Sequence, residues 1–72
     1  MDLCRRFGAN VKNVRLAAGH TQEELADLAG VARSYMSDVE RGVRNPTLKV
    51  VERIAQALEV DPAKLLDAQC AD

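Results

Sequence analysis

Five polar residues between positions 33 and 38 carry the most useful side-chain chemistry in this 72-residue chain. An arginine guanidinium can donate two parallel hydrogen bonds to guanine O6 and N7, and an aspartate can accept one from cytosine N4. A tyrosine ring can lie against a thymine methyl, and a serine hydroxyl can bond a base or a phosphate. The five are Arg33, Ser34, Tyr35, Ser37 and Asp38. Each is an ordinary surface residue unless a helix presents them together, so the interpretation depends on the elements that hold them.

Residues 21–42 are predicted to form two short helices joined by a glycine turn. Thr21 and Glu24 match a capping box, which starts the first helix. Gly30 permits a sharp turn with positive φ, and Gly42 ends the second helix. The inward-facing residues are predicted to be Leu25, Ala26, Leu28 and Ala29 in the first helix and Val31, Met36 and Val39 in the second. Such a pair holds its second helix outward, where it can enter the major groove of DNA.

Three more helices are predicted around this pair, so the expected fold is all-α with five helices in one domain spanning residues 1–72. The first covers residues 3–18, with Phe7, Val11, Val14 and Ala18 in one apolar stripe. The fourth covers residues 48–58, with Leu48, Val51, Ile54, Ala55 and Leu58 facing inward. The fifth covers residues 62–68 and follows an Asp-Pro start signal at residues 61 and 62. No run of alternating β-branched residues predicts a strand.

Over about residues 7–66, the chain resembles the lambda-repressor-like, Cro-type helix-turn-helix family. The matching positions are Arg15, residues 21–26 (TQEELA), Gly30-Val31, residues 35–42 (YMSDVERG), residues 44–48 (RNPTL) and residues 54–58 (IAQAL). The resemblance implies a sequence-specific, double-stranded-DNA-binding transcription regulator that acts as a homodimer on a two-fold-related operator. Residues 33–46 (RSYMSDVERGVRNP) are also similar to controller proteins of restriction–modification systems.

The resemblance assigns base reading to the five polar residues at positions 33–38, with Arg33 as the main reader. Asp38 is expected either to accept from a base or to orient Arg33. Phosphate contacts, which position a protein without reading sequence, are expected from Gln22, Arg41, Arg44 and Asn45. A solvated surface role is the alternative for each of these residues.

Similar domains also imply a partly buried ion pair between Arg15 and Glu40, and this structural role is preferred to a DNA contact for Arg15. The chain departs from the family pattern at Ala32, where many relatives carry a helix-capping side chain. Alanine cannot cap, so the sequence leaves open whether the third helix starts later, at Ser34.

Dimerisation is expected to use the fourth and fifth helices, because apolar residues there lie off the core stripe or near the chain end. The predicted interface consists of Val50, Ala57, Leu65 and Leu66. Leu65 fits the monomer core equally well.

The net charge of −1 counts mildly against nucleic acid, although residues 1–20 hold four basic residues against one acid and the acids are concentrated in residues 57–72. The alternative function is therefore a protein-interaction module, such as an antitoxin-like partner or an RNA polymerase adaptor. No nucleophile–base pair and no metal-ligand spacing can be assembled, so no enzyme activity, cofactor, metal or small-molecule ligand is expected. Cys4 and Cys70 are expected to be free thiols in the cytoplasm, with an inter-subunit disulfide as the other interpretation. No membrane span or secretory signal is predicted.

Overall fold

The computed structural model describes residues 2–68. These residues form four α-helices and one 3₁₀ helix, with no strand among them. The elements are α1 (Leu3–Ala17), α2 (Gln22–Ala29), α3 (Arg33–Arg41), α4 (Leu48–Leu58) and the 3₁₀ helix (Pro62–Leu66). The prediction of an all-α fold is confirmed, and the predicted bounds of the fourth helix, residues 48–58, agree with the structure.

The fifth helix, predicted over residues 62–68, is a 3₁₀ helix over Pro62–Leu66 and not an α-helix. Its start is as expected, since the Asp61 carboxylate accepts from the Ala63 N–H at 2.9 Å. The chain then turns to extended backbone at Asp67, with φ −75° and ψ 130°. Asn10 Nδ2 on α1 donates to the carbonyl oxygens of Leu65 and Asp67 at 2.8 Å each, so a long-range contact holds the chain at the end of the 3₁₀ helix. No local pattern in the sequence predicts this contact between α1 and the 3₁₀ helix.

Local side-chain chemistry explains where α2 begins and ends. Thr21 Oγ1 accepts from the Glu24 N–H at 3.0 Å, and Glu24 Oε1 accepts from the Thr21 N–H at 2.8 Å, which completes the capping box. The hydrogen bond from the Thr21 N–H, with the Thr21 hydroxyl as a second contribution, holds the pKa of the Glu24 carboxyl below its usual value. The helix ends at Gly30, whose φ of 72° lies in the left-handed region, as the sequence predicts.

The core is aliphatic apart from Phe7 and Met36, and it lies between all five elements. Three residues predicted to face inward are exposed instead. Leu28 is 59% exposed and Leu48 is 85% exposed, while Ala18 lies one residue beyond the end of α1. Leu28 falls outside the narrow face that Leu25 and Ala29 bury, and Leu48 is the first residue of α4, before that helix reaches the core. The helical spacing of apolar residues identified the buried faces of these helices, but it predicted faces that are wider and longer than those observed.

Helices α1 and α3 cross at Gly8. A Cβ atom at this position would collide with the Val39 carbonyl oxygen and lie 2.9 Å from the Glu40 carbonyl oxygen. Any side chain at position 8 would therefore push α3 away from α1. The role of Gly8 could not be predicted from the sequence, because no neighbouring residue indicates which part of the chain packs against it.

The substitution Gly8→Ala tests this close approach, because helix propensity and steric overlap predict opposite changes in the free energy of unfolding. Helix propensity alone predicts that alanine stabilises α1 by about 1 kcal/mol. We expect destabilisation instead, because overpacking of this kind costs about 1–3 kcal/mol. The measurement is the free energy of unfolding in urea. Lys12→Ala, an exposed alanine replacement on the same helix, serves as the control and should stay within about 0.5 kcal/mol of the wild type. A Gly8→Ala protein more stable than the wild type would contradict the crossing.

Candidate nucleic-acid interface

The outer surface of α3 carries all five polar residues that the sequence singles out. Arg33 and Ser34 are exposed, and Tyr35, Ser37 and Asp38 are partly exposed. The opposite side of the helix is buried through Met36 and Val39. Packing therefore anchors one side of α3 and leaves a polar face, with Arg33 at its N-terminal end, open to solvent.

Helix α3 begins at Arg33 without a side-chain cap. Ala32 occupies the N-cap position with extended backbone, φ −68° and ψ 148°, and no side chain accepts from the first turn. The alternative that the helix starts later, at Ser34, is wrong. Because propensity and capping contribute little here, the packing of Met36 and Val39 must supply most of the stability of this short helix.

Arg15 and Glu40 form a bidentate ion pair between α1 and α3. Arg15 Nε lies 2.7 Å from Glu40 Oε2, and Arg15 Nη2 donates to Glu40 Oε1 at 3.0 Å. The two side chains are only 9% and 4% exposed. Arg15 Nη1 also donates to the His20 carbonyl oxygen at 2.9 Å, which ties the loop before α2 to the same guanidinium. Arg15 is therefore buried between α1 and α3 and is not part of the exposed surface that α3 presents.

Gln22, the first residue of α2, joins the same network. Its Nε2 donates to Glu40 Oε1 at 3.2 Å, so this one oxygen accepts from both α1 and α2. The amide keeps a second N–H and its carbonyl oxygen for another partner. Glu40 consequently holds the start of α2 and the body of α3 in a fixed relation.

The loop after α3 folds Arg44 back onto the helix. Arg44 Nη2 lies 3.6 Å from Asp38 Oδ2, and the guanidinium carbon lies 4.8 Å from the centre of the Tyr35 ring. Asp38 therefore pairs with Arg44, in contrast to the alternative expectation that it orients Arg33. Sequence reasoning missed this pair, since the two residues lie on opposite sides of the Gly42 turn.

Two further predicted phosphate contacts lie beside this pair. Arg41 is exposed in the last turn of α3. Asn45 is exposed in the loop, where its Oδ1 accepts from the Cys4 thiol at 3.8 Å. Cys4 is a free thiol, and Cys70 lies outside the described residues. The Cys4 contact was also not foreseen.

The residues predicted to form a dimer interface do not share one surface. Leu65 is 0% exposed and belongs to the monomer core, so that part of the prediction is wrong and the alternative reading of Leu65 is correct. Val50 and Ala57 pack partly against the core along one edge of α4. Leu66, at 38% exposure, lies beyond the other edge. There it contributes to a surface depression, here called the apolar groove, lined by Leu3, Cys4, Phe7, Asn45, Pro46, Leu48, Val51 and Leu66.

Among residues 2–68, no group of three or more His, Cys, Asp or Glu side chains could hold a metal ion. None of the helices in this part of the chain has the length and apolar character needed to span a bilayer.

Arg15→Ala should lower stability sharply, because it leaves the Glu40 carboxylate buried without its cation. Removing one partner of a buried pair costs about 3–5 kcal/mol, comparable to the whole stability of a small domain. Arg33→Ala removes the same side chain from an exposed position and should change stability by less than about 0.5 kcal/mol. Thermal and urea unfolding of the two variants measure the difference. Equal unfolding midpoints would contradict the structural role of Arg15.

Comparisons with known proteins agree with this arrangement. A family model described as "Helix-turn-helix" matches residues 11–65. Control protein C.BamHI of Bacillus amyloliquefaciens is 45% identical over 62 residues, which cover 85% of this chain and 76% of that protein. The transcriptional regulator SinR of Bacillus subtilis is 39% identical over 62 residues, which cover 85% of this chain and 56% of that protein.

A solved structure gives the same result for the fold. The restriction-modification controller protein C.AhdI from Aeromonas hydrophila superposes with a TM-score of 0.84 and 42% sequence identity. The match covers 86% of this chain and 94% of that one. The chain therefore belongs to the XRE-type helix-turn-helix family of DNA-binding transcription regulators.

Proposed function

We propose that this chain is a controller-type transcription regulator that binds a two-fold-related operator as a homodimer. In this proposal α2 and α3 are the helix-turn-helix, and α3 enters the major groove. The observation that carries it is the polar outer face of α3, which exposes Arg33 at its N-terminal end while Met36 and Val39 are buried on the inner side. Its relatives C.BamHI and C.AhdI, named as control proteins, support the assignment to controllers.

Base reading would fall to the outer face of α3. Arg33 stands at the end of the helix that enters the groove first, with its guanidinium free to bond guanine O6 and N7 together. Ser34 and Ser37 would add weaker hydrogen bonds to bases or phosphates. Tyr35 would offer its ring edge to a thymine methyl, and Asp38 would accept from cytosine N4.

Phosphate contacts would flank the groove on both sides of α3. On one side lies the start of α2, where Gln22 has a spare amide donor and the helix N-terminus attracts anions. On the other side lie Arg41, Arg44 and Asn45, at the end of α3 and in the following loop. These contacts would fix the position of α3 without reading sequence.

Arg33→Ala tests the base-reading role on an operator obtained by selecting bound duplexes from a random pool. We expect the affinity for this operator to fall about ten- to hundredfold, because one bidentate arginine–guanine contact is worth about 1–3 kcal/mol. The measurement is fluorescence anisotropy with labelled duplex at fixed salt.

Arg53→Ala is the matched control for the loss of charge, because Arg53 is an exposed arginine on α4. It should reduce affinity far less. Equal losses for Arg33→Ala and Arg53→Ala would contradict the assignment of Arg33 as a reader.

A second copy of the chain would cover the apolar groove. Leu3, Leu48 and Leu66 expose large apolar side chains around it, and Phe7 and Val51 also contribute to its lining. An isologous contact would bury this surface twice, once on each subunit. It would also add stability to a domain whose small size limits its core. The two α3 helices would then meet half-sites about 34–36 Å apart.

Leu66→Glu should convert the dimer to a monomer, because a charge would be buried in the interface without a partner. Sedimentation velocity at micromolar concentration measures the change. Leu16→Glu, an equally drastic change at an exposed leucine outside the groove, should leave the dimer intact. A Leu66→Glu protein that stays dimeric would place the interface elsewhere.

A protein-interaction module is the second candidate function. The net charge of −1 and the exposed acids Glu59 and Asp61 towards the C-terminal end favour it. A controller could use this acidic end to contact RNA polymerase as well. Binding to duplex DNA that weakens steeply with salt distinguishes the regulator from a module that binds only protein.

A further inference from the structure

Arg44 is held by its own protein on the face that would meet DNA. Its guanidinium is bracketed by the Asp38 carboxylate at 3.6 Å and the Tyr35 ring at 4.8 Å. Both partners belong to the outer face of α3, whereas Arg44 comes from the loop beyond Gly42. The side chains of Arg44 and Asp38 are 49% and 34% exposed, so DNA phosphate can reach and compete for the guanidinium.

We propose that Asp38 is a specificity-determining residue that acts as an internal substitute for phosphate and holds Arg44 until the correct sequence releases it. This inference rests on the proposed function, because it concerns the same α3 face and the same DNA. It assigns to Asp38 a role in rejecting wrong sequences as well as in contacting a base.

The proposed mechanism depends on the negative charge of Asp38, which has no cation beside it once Arg44 has moved away. When Arg44 moves to a phosphate, the Asp38 carboxylate loses its cation and faces a polyanion. At a sequence that presents cytosine N4 to Asp38, the carboxylate regains a hydrogen-bond donor. At other sequences it stays unpaired, so phosphate binding by Arg44 is opposed there. A repulsive element of this kind raises specificity by weakening binding to the wrong partner.

The Tyr35 ring strengthens the resting position of Arg44. A guanidinium over an aromatic face is attracted by the ring quadrupole, in addition to the ion pair. Since the ion pair is long and partly exposed, each contribution is small and is further screened by salt. The expected effects are therefore modest and are best measured at low ionic strength.

Asp38→Asn removes the charge while keeping the shape of the side chain. We expect its affinity for a random-sequence duplex to rise about two- to fivefold, the range that a surface ion pair provides. Affinity for the selected operator should rise less or fall, so the ratio of operator to random binding decreases. Asp27→Asn, the same change at an exposed position on α2, should leave that ratio unchanged.

The effect must also depend on Arg44. Asp38→Asn is therefore measured again in an Arg44→Gln background, as a double-mutant cycle. If Asp38 acts by holding Arg44, its removal should no longer raise random-duplex affinity in this background. Thermal unfolding of each variant verifies that all of them are folded at the assay temperature.

Two results would overturn the inference. One is an unchanged ratio of operator to random binding in Asp38→Asn, and the other is a gain in random-duplex affinity of the same size with and without Arg44. The second result would mean that the carboxylate repels DNA by its own charge alone. Failure of the proposed function looks different, because the wild type itself would then bind no duplex at low salt.

Discussion

The structure depends most on one buried carboxylate. Glu40 accepts from Arg15 on α1 and from Gln22 at the start of α2, while it belongs to α3. A buried ion pair is favourable only when its remaining donors and acceptors are satisfied. Here Arg15 uses a further N–H on the His20 carbonyl, so the loop between α1 and α2 completes the set. Three helices are thereby held at fixed positions by a single directional network.

This network matters because α3 has little intrinsic stability. It has nine residues and no side-chain cap, so an isolated copy would not stay helical in water. Its place is fixed by the Glu40 network, by the burial of Met36 and Val39, and by the close approach that Gly8 permits. All of these contacts lie on the inner side of the helix. The outer side is left in contact with solvent, and its polar side chains take no part in the core.

Local signals predicted the elements well, because caps and turns involve neighbours in sequence. Thr21 and Thr47 both accept from the N–H three residues later, and Gly30 takes the positive φ that its turn requires. Contacts between distant segments could not be predicted in this way. No pattern in the neighbouring sequence indicates that Gly8 contacts α3 or that Asn10 contacts the 3₁₀ helix. In the candidate site, the family resemblance supplied the Arg15–Glu40 pair, whereas the Asp38–Arg44 pair depends on how the chain turns after α3 and was missed.

The central claim is that the Glu40 network positions the DNA-facing helices and does not only stabilise the fold. The most direct test combines Arg15→Met with Glu40→Leu, which replaces the buried pair by apolar side chains. Such replacements often restore the stability that single changes remove. We predict a folded double variant whose operator affinity is reduced about tenfold, or 1.4 kcal/mol, because Gln22 and α3 lose their common anchor. A folded double variant that binds the operator with wild-type affinity would contradict the claim.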